Sequence, residues 1–320
     1  MRKELRGTTN LLRTCVNARP GEQVLIVTDS ATDPAVADAI MAAAARLGVE
    51  ASKVTMEPRS LPGEEPPRPV VAAMFAADVI ICPTSTTLYH TNARTAACRN
   101  GARFVSMACA TMKLLASSAM SVNFPKHEQT LNRLVQRLTR AKMIKVTNPA
   151  GTSLEFKVQG RRGRCVTGMA RRSGDATATP DIEAYIAPLE KDTNGVLVID
   201  GSTSVTGIVK EPIRISIERG VAVRITGGYD ARALRRILRE TRSPGSLYVG
   251  ELGIGLNPLA RIRGSIIEDE GKLGTAHVAL GDNTKLGGKN HAPTHIDLVF
   301  KNPHIQFDGV TVLKGKRLTL

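Results

Sequence analysis

A chain of 320 residues is long enough to bury a sizeable core and to form two domains. Its 42% apolar content excludes a disordered chain, and 3% aromatic residues with no Trp argue against a base-stacking platform for single strands. The net charge of +15 would attract polyanions, but Lys and Arg are dispersed and no nucleic-acid module accompanies them, so no nucleic-acid partner is expected.

No apolar run reaches the roughly 18 residues of a membrane span. The basic start lacks the apolar centre and cleavage site of a secretory signal. The five cysteines, Cys15, Cys82, Cys98, Cys109 and Cys165, are odd in number and lack CxxC spacing. They read as reduced thiols of a cytoplasmic protein.

In chain order, QVLIVTD (Gln23 to Asp29) is a continuous apolar strand, and Asp33-Pro34 supplies a cap and first-turn proline for a helix that ends at Gly48. Ala51 to Met56 reads as the next strand and Val70 to Ala77 as a helix. Asp78 to Thr84 and Ala102 to Ala108 are buried strands around a helix near Asn92 to Asn100. Buried strands alternating with helices predict an α/β domain with a doubly wound parallel sheet over residues 1–142. An amphipathic helix carrying Leu131, Leu134, Val135 and Leu138 closes it.

From Met143 the texture changes to hairpins. Ile213, Ile215 and Ile217 alternate with polar residues, and Val221, Val223 and Ile225 alternate again after a turn. One helix, from Asp230 to about Thr241, interrupts before strand, turn and strand close the chain. Residues 143–320 are expected to form a β-rich α+β domain, and this domain holds nearly every residue suited to chemistry.

There is no GxxxxGK(S/T), no GxGxxG after the first strand and no HExxH, so a P-loop, a dinucleotide fingerprint and the commonest zinc protease helix are absent. Four glycine-flanked acid and histidine clusters remain. In TPDIEAYIAP, Glu183 and Tyr185 share a face of a strand. In YVGELGIGLNP, Glu251 lies where a normal helix cannot form, and a carboxylate there needs a partner. Then come Glu268, Asp269 and Glu270 with His277 in IIEDEGKLGTAHVALGDN, and His295 with Asp297 in GGKNHAPTHIDLVF. Taken alone, His295 and Asp297 fit a metal pincer, a proton relay or a polar strand edge equally well. His291 and His304 read as loop residues, and His90 and His127 have no acidic neighbours in sequence. Together the clusters hold imidazole and carboxylate enough for two divalent ions sharing a bridging carboxylate and activating water.

The ordered set PDIEAYIAP, GELGIGLNP, EDEGKLGTAHVALGDN and THIDLVF resembles the aminopeptidase T (thermophilic metallopeptidase) family, from about Ala178 to the C-terminus. Its motifs are a PDGE-type strand, a GEFGIGTN-type segment, a DExxxGTxHxALG run and a final HxD. The resemblance implies a dimer and two divalent metals, Zn, Mn or Co, held by Glu183, Glu251, Glu270, His277, His295 and Asp297, and one of Glu183, Glu251 or Glu270 is expected to serve as catalytic base, with Glu183 and Glu270 the first candidates. The chain departs from that pattern where GDNTKLGG follows HVALG without a tyrosine, and in the closer spacing of His277 and His295. Ring-cleaving 2,5-dihydroxypyridine dioxygenases are similar in their GG…HLD ending and GWGLxP segment. They hold one Fe(II) through two histidines and an aspartate, and carry a histidine where Glu251 stands here. The leading expectation is therefore a metal-dependent hydrolase acting on an amide of a peptide or small molecule. A mononuclear Fe(II) dioxygenase built on His277, His295 and Asp297 is the alternative, and a basic nucleic-acid-binding protein is the non-enzymatic one.

Overall fold

The apolar run Gln23–Asp29 becomes a central strand because both its faces are covered: every residue after Gln23 is buried. In the computed structural model, which describes residues 3–320, it pairs in parallel with Glu50–Met56 on one side and Val79–Cys82 on the other. Arg103–Ser106 and then Ala176–Ala178 extend the parallel sheet. Glu50–Met56 is an edge strand, which explains its mostly exposed residues. The helix Pro34–Arg46 starts where expected, with Asp33 Oδ1 accepting from Ala35 N at 3.0 Å. Leu25, Val27, Ile80 and Cys82 pack in one core cluster with Val70 and Met74 of the helix Arg68–Ala76 and Ala93 and Ala97 of the helix Asn92–Arg99.

The chain divides into two compact units, one running through Pro125 and including Val166–Asp181, the other comprising Lys126–Cys165 and Ile182–Leu320. The first unit thus takes its fifth strand from beyond residue 142, and most of the helix Phe124–Arg140 belongs with the second. A three-residue strand of small residues carries too little periodicity to be read from sequence.

Among the described residues, the second unit contributes to an antiparallel sheet of eight strands and another of seven. In the eight-stranded sheet Ile213, Ile215 and Ile217 are buried while Arg214 and Glu218 are exposed, as alternation predicts. No described helix is long and apolar enough to cross a membrane.

Candidate metal centre

Four neighbouring strands of the seven-stranded sheet, Glu183–Ile186, Val249–Gly255, Thr275–Gly281 and His295–Lys301, carry the candidate site. On one face Leu252, Ile254, Ala276, Val278, Leu280, Ile296, Leu298 and Phe300 are buried and apolar. That packing fixes the register, because a slip of one residue would turn the charged face inward. The opposite face bears Glu183, Glu251, His277, His295 and Asp297. Glu251, Ala279 and Asp297 lie in one cross-strand row, and Gly253 and His277 in the next. The pairing shifts between Val249 and Glu251, a bulge at Gly250 that aims Glu251 into the row.

The donors converge. His277 Nδ1 lies 3.6 Å from Glu183 Oε2, and His277 Nε2 lies 3.8 Å from Glu251 Oε1. The other oxygen of Glu251, Oε2, is 3.0 Å from His295 Nε2, which is 3.3 Å from Asp297 Oδ1. Three donor sets each fit within 4.8 Å: Glu183, Glu251 and His277; Glu251, His295 and Asp297; and Glu270, His277 and Asp297. All six expected ligands are therefore brought together, and each of these sets has one histidine.

Two glycines make the convergence possible. Glu251, Gly253 and Gly255 share a face. A Cβ on Gly253 would overlap the His277 imidazole, and one on Gly255 would overlap the carbonyls of Glu270 and Lys272. The ring of His277 thus lies across its neighbouring strand, and the segment carrying Glu270 approaches the sheet backbone.

Of the three consecutive acids, only Glu270 joins a donor set. Glu268 Oε1 accepts from Arg261 N at 3.0 Å, while Asp269 accepts from Arg263 N at 2.7 Å and Gly264 N at 2.9 Å. These two buried carboxylates hold the preceding loop around the short helix Ile266–Asp269, which delivers Glu270.

His295 is oriented from behind: its Nδ1 donates to the Asp282 carbonyl at 2.7 Å, leaving Nε2 for the site. The Asp282 side chain gathers the loop before His295, accepting from Thr284 N and Oγ1, from Ala292 N, and pairing with His291 Nδ1 at 3.1 Å. His291 itself is exposed and in no donor set. His304 opens a strand and pairs with Thr311 Oγ1.

The electrostatics report crowded negative charge. Burial raises the Glu251 carboxyl, but hydrogen bonds and charge from His277 and His295 outweigh it and bring its pKa to about 2. Burial opposes the charge on His277, yet Glu183 and Glu251 lift it to about 9. His295 is likewise raised against burial, chiefly by Asp297, and Asp297 is lowered against burial by His295. Burial and then the charges of Asp297, Glu183 and Glu251 push Glu270 well above the carboxylate range. In the protein alone the crowded carboxylates thus favour the protonated forms of both imidazoles and of Glu270.

The residues fit a divalent cation. The buried His277 Nδ1 makes no hydrogen bond, and oxygen and imidazole donors surround a common volume. The α/β unit and the antiparallel β-rich unit carrying this donor face are those of an enzyme with a candidate metal site. The family model for 2,5-dihydroxypyridine 5,6-dioxygenase matches residues 6–319, and the chain belongs to that family. A 2,5-dihydroxypyridine 5,6-dioxygenase of Pseudomonas putida strain KT2440 is 26% identical over 188 residues. That alignment covers 55% of this chain and 54% of the relative, about half its length. The solved structure of 2,5-dihydroxypyridine dioxygenase from the same strain matches with a TM-score of 0.82 at 20% identity, over 98% of this chain and 96% of that one. Wild-type AmpT from Thermus thermophilus matches with a TM-score of 0.72 at 16% identity, over 99% of each chain. Both structural likenesses show a shared two-domain α/β fold.

Proposed function

We propose that the chain is a metal-dependent dioxygenase that opens the ring of a hydroxylated pyridine or a related electron-rich aromatic. The family match along residues 6–319 carries this reading. It displaces amide hydrolysis, the leading expectation from sequence, because the hydrolase motifs cover mainly the ligand-bearing strands whereas this match spans both units. The non-enzymatic reading falls with family membership.

Glu251, His295 and Asp297, which form one donor set, would hold the metal, with His277 and Glu270 beside them. Bound Fe(II) supplies a site where a ring hydroxyl and dioxygen meet. In ring opening one carbon–carbon bond breaks and both atoms of one O2 enter the product, so no external reductant is needed. The chain's own groups do the rest. His295 is held in one tautomer by the Asp282 carbonyl. Glu270, whose carboxyl is held well above the carboxylate range by burial and by the charges of Asp297, Glu183 and Glu251, would in its ionised form accept the proton of the ring hydroxyl.

One observation favours a second reading, hydrolysis by a two-metal site: the two oxygens of Glu251 face different histidines, as a bridging carboxylate requires. Four carboxylates also match the charge of two divalent ions. Metal content and turnover separate the readings. The dioxygenase predicts about one iron per chain and oxygen uptake with 2,5-dihydroxypyridine. Two Zn, Mn or Co ions and release of an amine from a chromogenic amide, with no oxygen uptake, would replace it. In either case His295→Ala and Asp297→Ala should each lower metal content; unchanged content would remove the site.

A further inference from the structure

We infer that Tyr185 forms the aromatic wall of the substrate site, contacting a planar ring bound at the donor cluster. The inference rests on the proposed function for its substrate class and on the sheet register for its position. Tyr185, Gly253 and His277 lie directly opposite one another on three adjacent strands. Directly opposed residues project from the same face with Cβ positions about 5 Å apart. Gly253 contributes no side chain, and the His277 imidazole occupies the place its Cβ would take. The ring of His277 therefore lies across the Gly253 strand on the side toward Tyr185, so Tyr185 borders this metal donor with no other residue's side chain in the row between them.

Its neighbours sharpen the assignment. Glu183, two residues earlier on the same strand and face, belongs to a donor set, so the Tyr185 strand already lines the cluster. Glu183, Glu251 and His277 are buried, whereas Tyr185 is half-buried. An aromatic side chain beside a metal donor, yet partly open to solvent, bounds the volume a bound ring would occupy. Offset or edge-on packing of two aromatic rings contributes about 0.5–1.5 kcal/mol beyond buried area, or about a two- to tenfold change in affinity.

The test uses catechol, a planar bidentate phenol that can ligate a protein-held divalent ion whether the enzyme is an oxygenase or a hydrolase. Binding is measured anaerobically by calorimetry on the full metal-loaded chain, for the natural protein, Tyr185→Phe and Tyr185→Ala. Tyr185→Ala should weaken catechol about three- to tenfold while metal content stays at the natural level. Tyr185→Phe should keep the affinity within about twofold. A Tyr185→Ala protein that binds catechol as the natural protein does, or that loses its metal, overturns the assignment. A natural protein that binds no catechol overturns it too. Failure of oxygen uptake, by contrast, bears on the proposed reaction alone.

Discussion

At the scale of single residues, a glycine does as much for the site as a ligand. Gly253 creates the gap into which His277 leans, so the smallest side chain there displaces the imidazole. Gly253→Ala should abolish or sharply reduce metal binding while the neighbouring strands stay paired. The measurements are metal stoichiometry after reconstitution and far-ultraviolet circular dichroism. Normal metal content in Gly253→Ala would show that the ring has another place to sit. The side chains that converge were named in the sequence: His295 and Asp297 at i and i+2 leave a strand on one face, Glu251 in a glycine-rich strand needs a partner, and the family resemblance joined them to Glu183, Glu270 and His277. The role of Gly253 was not, since a gap has meaning only when the side chain that enters it, from a strand 24 residues on, is known. Glu270 was named ahead of Glu268 and Asp269 by the family resemblance; what the coordinates add is the reason, the backbone amides the other two accept from.

At the scale of elements, alternation in the strands was readable while the loops holding them were not. The runs GELGIG, TAHVALG and HIDLVF each put apolar residues on one face and their acids and histidines on the other, where Val299 is the one large apolar residue. The segment from Arg261 to Gly264 has no period; it is held by Asp269, whose two oxygens accept from two successive backbone amides. Removing that carboxylate leaves two part-buried backbone donors short of partners, at up to about 1–3 kcal/mol each and less where water can replace it. Asp269→Ala should therefore lower thermal stability by several degrees and weaken metal retention, because Glu270 follows directly. Asp269→Asn keeps one acceptor oxygen and should fall between. Melting temperature and metal content should move together across the two variants; destabilisation without metal loss would mean that the loop is not what places Glu270.

At the scale of the whole molecule, a chain of net charge +15 concentrates carboxylates at one place, and this sets how stability should depend on pH and metal. Without a cation, His277 titrates at about 9, above its ordinary value, so the stability it contributes is full below about pH 6.5 and is lost as pH rises through 9. Glu270, also raised, acts in the same direction: it is favourable while protonated and becomes costly as it ionises. Glu251 runs the other way, since a carboxyl lowered to about 2 stabilises above its ordinary pKa near 4.5 and loses that contribution as pH falls toward 2. The metal-free protein should then be most stable at mildly acid pH and weaken toward pH 9. A divalent ion competes with the protons on His277, His295 and Glu270, so it binds more tightly as pH rises and releases protons when it does. Ligand bound only to the folded state stabilises it by about 2.7 kcal/mol at a concentration 100 times Kd. The rise in melting temperature on adding Fe(II) anaerobically, or Mn(II), should therefore be small at pH 5.5 and large at pH 8. The same Mn(II) titration in weakly buffered solution should acidify it. A melting-temperature gain that is flat across this range, with no proton release, would mean that the cation binds away from the cluster.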